Sequence, residues 1–137
     1  MNFAGGVNYR YQPRLKPSPA ADTLSFTVKS TGPLSSSRVL VVNSGGVVLA
    51  DKDTLTHQDK ILGLTTSSAS AADEDVSVLG EGYRKDDSYT FTEGPVWLGN
   101  AGVLTQVKPA TGMLVQLGVA ISATELYFDI GLAVKLA

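Results

Sequence analysis

FTEGPVWLGNAGVLTQ, residues 91–106, and RVLVVNSGGVVLA, residues 38–50, share one grammar: an apolar burst, a small-residue turn, and a second apolar burst. Asn43-Ser44-Gly45-Gly46 and Gly99-Asn100-Ala101-Gly102 supply residues that tolerate positive φ, as tight hairpin turns require. A shift of 56 lays Leu40-Val41-Val42 on Val96-Trp97-Leu98 and Gly46-Val47-Val48-Leu49 on Gly102-Val103-Leu104-Thr105. Further on, a shift of 55 lays ILGLTTSSAS (61–70) on QLGVAISAT (116–124), with Gly63 meeting Gly118. Each half is thus a hairpin, a connection, a strand with a central glycine, a small-residue link and another strand. The doubled pattern points to an internal duplication with pseudo-twofold symmetry.

From residue 23 the whole chain keeps to short apolar or alternating runs bounded by Gly, Ser, Asp and Pro. The runs are 24–28, 39–42, 47–50, 61–65, 76–79, 89–91, 96–98, 103–106, 114–121 and 126–130. They are rich in Val, Leu, Ile, Thr and aromatics, as strands are. Only SSASAADED (67–75) has helix-tolerant composition. It lacks an apolar stripe and reads as a loop. The expected fold is all-β, a small barrel or sandwich of short antiparallel strands. Gly63 and Gly118 lie inside apolar runs, where glycine marks a bulge, a barrel corner or close backbone approach.

The 137 residues fit one β domain over 22–137 behind an arm over 1–21. Cysteine is absent and His57 is the sole histidine, so disulfides, thiolate metal sites and imidazole catalysis have little to work with. The net charge of −2 does not suggest a nucleic-acid or membrane partner. No apolar run approaches the roughly 18 residues of a membrane helix, and the N-terminus lacks a secretory layout.

Charge is nevertheless uneven. Residues 1–21 carry Arg10, Arg14 and Lys16 and no acid, so the remaining residues carry −5. Pro13, Pro17 and Pro19 fix φ, remove donors and push their predecessors to extended geometry. The segment reads as an extended arm. A frayed terminus is the plain reading; Phe3, Tyr9 and Tyr11 favour an arm that orders on a partner. Extended, about 20 residues reach up to about 65 Å, enough to cross onto a neighbouring subunit.

The sequence offers no enzymatic constellation. It has no nucleophile elbow, phosphate-cradling glycine loop or zinc motif. His57 reads as a solvated loop residue. Asp51-Lys52-Asp53 alternates but lacks the glycine and glutamate of a calcium loop, and Asp73-Glu74-Asp75 and Asp86-Asp87 read as solvated turns. Catalytic, cofactor and metal residues are therefore expected to be none. Trp97 lies opposite Val96 and Leu98 in its strand. Its ordinary reading is core, and its alternative is an interface anchor. The residues expected to carry partner contact are Tyr9, Arg10, Tyr11, Arg14 and Lys16, with Trp97 beside them.

GPVWLGNAGVLTQVKPATGMLVQLGVAISATELYFD (94–129) resembles the capsid cement, or head decoration, proteins of tailed bacteriophages and related head-fibre bases. The resemblance rests on Ile61-Leu62-Gly63-Leu64-Thr65, Val96-Trp97-Leu98-Gly99 and Gly102-Val103-Leu104-Thr105-Gln106. It continues through Pro109, Gly112, Gln116-Leu117-Gly118-Val119-Ala120 and Glu125-Leu126, spanning about residues 23–130. It implies a small β domain that forms a homo-oligomer, often a homotrimer. It implies attachment to the major capsid protein on the virion exterior, after assembly in the host bacterial cytoplasm. The ending GLAVKLA (131–137) departs from the proline-containing tail of that family, and the arm is not one of its constant features. The alternatives are a neck or tail fibre-base or adaptor protein, and a β-barrel carbohydrate- or ligand-binding module.

Overall fold

A computed structural model of the chain describes residues 23–136. It is almost entirely antiparallel β structure, 49% strand and 3% helix, in one curled sheet that forms a half-barrel. The strands are β1 (Leu24–Lys29), β2 (Val39–Asn43), β3 (Gly46–Leu49), β4 (Ile61–Thr65), β5 (Asp75–Lys85), β6 (Gly94–Leu98), β7 (Leu104–Thr105), β8 (Met113–Ala120), β9 (Glu125–Asp129) and β10 (Ala133–Lys135). One 3₁₀ turn, Leu55–His57, interrupts the β3–β4 connection. Ser44 at φ +50° and Gly45 at φ +84° give the β2–β3 hairpin its two left-handed positions. That turn matches the twist of the flanking strands.

The sheet order is β3-β2-β4-β5-β9-β8-β6-β7, with β1 on β5 and β10 on β8. The order is a palindrome: β2, β3, β4 and β5 correspond to β6, β7, β8 and β9. The duplication read from sequence is therefore present in the topology. Leu40 pairs with Gly63, and Val96 with Gly118, as the sequence shifts require. After each pair the ladder skips one residue, Leu62 in the first half and Leu117 in the second.

The two bulges nevertheless face opposite ways. Val39, Val41, Leu64 and Leu79 join Val96, Leu98, Val115, Leu117, Leu126 and Phe128 in an inner core between the halves. Leu40, Val47, Ala69, Val76 and Val78 form a second, outer cluster, covered by Phe26, Val28 and Leu34 with Leu62 packed against it. Leu40 and Leu62 thus point outward, whereas Val96 and Leu117 point inward. In a strand, a slip of one residue exchanges the faces of every side chain. The backbone plan repeats; the side-chain register does not.

Both central glycines are required by close approach. A Cβ on Gly63 would lie 2.5 Å from the Leu79 carbonyl oxygen and 2.6 Å from Val78 Cγ1. On Gly118, at φ +155°, it would meet the Tyr127 carbonyl oxygen.

Some boundaries differ from the sequence reading. Residues 89–91 form no strand. Instead the Phe91 N–H bonds the Ala123 carbonyl at 2.9 Å, and the Tyr89 and Phe91 rings pack with centroids 4.8 Å apart. Strand β5 runs on to Lys85 because its second half pairs β9. The 103–106 run shortens to Leu104–Thr105, and β10 was not foreseen.

Gly63→Ala and Gly118→Ala are each expected to destabilise the fold by about 2–4 kcal/mol, because backbone must shift to admit the methyl group. Gly32→Ala, which meets nothing within 4 Å, should stay within about 0.5 kcal/mol. Urea unfolding followed by circular dichroism separates the two outcomes.

Candidate functional site: a polar clasp and an outer contact face

Tyr9, Arg10, Tyr11, Arg14 and Lys16 lie outside the described residues. Of the other polar candidates, Asp51, Asp53 and His57 converge at one end of the curled sheet, where the exit of β3 meets the β6–β7 turn, whereas Glu74 accepts from Ser70 and Asp86 from Ser88 and Ser37. The Val39 N–H donates to the Gly102 carbonyl at 2.9 Å, the Gly102 N–H to the Ala50 carbonyl at 2.6 Å, and the Lys52 N–H to the Gly99 carbonyl at 3.1 Å. The Met113 N–H donates to the Lys52 carbonyl at 2.7 Å, drawing the start of β8 to the same segment.

Side chains reinforce this clasp. Asn100 Nδ2 donates to Asp51 Oδ1 at 2.9 Å and to Asp53 Oδ2 at 2.8 Å. The Ala101 N–H reaches Asp51 Oδ2 at 3.2 Å, and Lys52 Nζ donates to Asp53 Oδ1 at 3.1 Å. His57 is half-buried, not a solvated loop residue: its Nδ1 accepts the Asp51 N–H at 3.1 Å. Partial burial pushes the Asp51 carboxyl up. Hydrogen bonds from the Asp53 N–H, Asn100 and the Ala101 N–H outweigh that, with nearby His57 adding to them, and hold it below the ordinary carboxylate range. Asp53 is likewise lowered, first by Asn100 and then by Lys52. Both aspartates are engaged in holding the two halves together. Among the described residues no group of three or more His, Asp or Glu side chains converges on a metal position.

The surface suited to contact lies elsewhere, on the outside of the second half and the adjoining end of β5. Tyr83 pairs with Tyr127, Tyr127 with Val119, and Val119 with Pro95. Directly paired residues share a face, so these side chains form one row across β5, β9, β8 and β6. Val119 is 45% exposed, Pro95 is exposed, and the two tyrosines are half-buried. Trp97 belongs to the same outer face, half-buried, paired with Gln116 and Thr105. Its core reading is corrected: Val96 and Leu98 take the core and turn Trp97 outward. A depression of about 270 Å³ lies on this face, lined by Gln116, Gly118, Val119, Tyr127, Asp129 and Gly131.

Acids border the row. Glu81 stands directly opposite Asp129, both exposed. Like charges across a ladder are destabilising. The Tyr127 hydroxyl donates to Glu81 Oε2 at 3.2 Å, and the Tyr83 hydroxyl donates to Glu125. That second bond, with burial and the carboxylate's charge, raises the Tyr83 phenol above its ordinary value. Aromatic rings beside carboxylates suit a ligand with apolar or proline surface and a cationic head.

The matching outer face of the first half is covered by β1 and Leu34. The described strands give the second half no such cover. Sequence periodicity reveals neither fact, because cross-strand neighbours are decided by register. The chain matches no protein-family model and no curated protein.

Asp51→Asn tests the clasp through pH. The folded Asp51 value lies below its unfolded value, so its contribution is present above the ordinary carboxylate range and lost as pH falls through the folded value. Between about pH 5 and pH 3 the wild type should therefore lose more unfolding free energy than Asp51→Asn. Denaturant titrations at each pH, with parallel slopes for the two proteins, would contradict this role.

Proposed function

We propose that this chain is a structural, non-enzymatic assembly protein that works through its outer faces. In its most specific form it is a cement or decoration protein of a tailed-phage capsid, acting as a homo-oligomer. The observation that carries the reading is the row Tyr83–Tyr127–Val119–Pro95 with Trp97 beside it. It is an aromatic and apolar surface bordered by acids, on the half of the sheet that β1 leaves open. Partly wet tyrosine and tryptophan side chains are the groups that anchor interfaces. The sequence resemblance to capsid decoration proteins supports the same reading and supplies the trimer and the capsid partner. A stable interface buries on the order of 1,600 Å², and symmetric copies multiply modest contacts into firm attachment.

The polar clasp supports this reading from the other side. Its charged side chains are engaged with one another and with backbone, which suits a rigid building block.

Val119→Lys and Trp97→Ala test the proposal. Each should leave the β circular dichroism spectrum intact while weakening self-association about tenfold, or about 1.4 kcal/mol. Light scattering across micromolar concentrations is the measurement. A chain of residues 1–137 that stays monomeric throughout that range would refute the proposal.

A further inference from the structure

Resting on that reading, we propose that residues 1–21 of one copy dock on the outer face of the second half of a neighbouring copy. Arg10, Arg14 and Lys16 would meet the Glu81–Asp129 pair, and Tyr9 and Tyr11 the aromatic row.

The first support is charge. Glu81 and Asp129 are paired across the ladder, exposed and alike in sign, and no cation among the described residues forms an ion pair with either. Two opposed carboxylates are unfavourable until a positive group comes between them. Residues 1–21 bring three such groups and no acid.

The second is shape. Two tyrosines in an apolar row with a depression beside it make a surface of the kind on which proline-rich extended chains dock, apolar rings against rings and cations against the bordering acids. Residues 9–19, YRYQPRLKPSP, combine those chemistries.

The third is where β1 begins. Glu81 pairs with Leu24 of β1 on one side and Asp129 of β9 on the other, so β1 starts one strand away from the acid pair. The row spans four strands, about 14 Å at the usual strand spacing. The prolines favour extended geometry of about 3.1 Å per residue, which carries Tyr11 about 37 Å from Thr23. An arm of that length extends past its own row and is long enough to reach the next copy. Exchange of arms around a closed symmetric ring would then give every face an occupant.

A charge-reversal pair in the full chain tests this. Arg10→Glu/Arg14→Glu/Lys16→Glu reverses the arm, and Glu81→Lys/Asp129→Lys reverses the face. Each variant alone should self-associate at least tenfold more weakly than wild type in sedimentation velocity. Mixed one to one, the reversed arm of the first meets the reversed face of the second, and association should return in part, because a three-membered ring keeps one mismatched contact. If the face variant loses its β spectrum, Glu81→Gln/Asp129→Asn should show the same loss without reversal. A mixture that stays monomeric while a chain carrying both sets associates would overturn the exchange and place the arm on its own copy. An arm variant that associates as well as wild type would overturn the docking and leave self-association standing. A monomeric wild type would overturn both.

Discussion

The rest of the molecule depends on a clasp in which Gly102 sits between Val39 and Ala50. Strands β3 and β7 end the ordered sheet, and without a tie between the two halves its edges would stand open. A Cβ on Gly102 would come 2.8 Å from the Val39 oxygen, and φ there is +73°. Only a residue without a side chain lets the turn enter far enough to exchange backbone hydrogen bonds with both β2 and the exit of β3. Each such bond contributes on the order of 1 kcal/mol net. Their larger effect is geometric: they hold the two hairpins against each other so that one inner core is shared by both halves. Asp51, Asp53, Asn100 and Lys52 then fix the turn with charge-assisted bonds.

From that shared core follows the difference between the two outer faces. The first half is packed on both sides, inward on Val96, Leu98 and Phe128 and outward on Phe26, Val28 and Leu34. The second half spends its apolar side chains inward, helped by the bulge that turns Leu117 into the core. Its outer surface keeps Val119, Tyr127 and Trp97 at the water boundary, with Tyr83 from the end of β5 beside them. A duplicated plan with a slipped register thus yields one half that is closed and one that is suited to contact. The proposed assembly role grows from that asymmetry.

Several elements were legible in the sequence because they depend on local chemistry. Ser44-Gly45 announces its hairpin, and Gly63 and Gly118 announce backbone crowding. The shifts of 56 and 55 align Leu40 with Val96 and Gly63 with Gly118, as the ladders do. Trp97 departs from its core reading for a definable reason. The shift places it on Val41, a core residue, and the bulges reverse the faces between halves. Tyr89 and Phe91 look like a strand by composition, yet their hydrogen bonds go to Asp86 and Ala123. His57 gave no sign that it accepts a backbone N–H six residues earlier.

By itself the sequence determined an antiparallel all-β chain built on a repeated unit, with its turns and its crowded glycines. Those follow from φ preferences and period-two patterning, which act over a few residues. Only the tertiary structure decided which side of each strand is wet, which carboxylates meet the clasp, and that Tyr83, Tyr127, Val119 and Pro95 form one row. Each of these depends on cross-strand register, and register is set by bulges and by contacts between residues far apart in the chain.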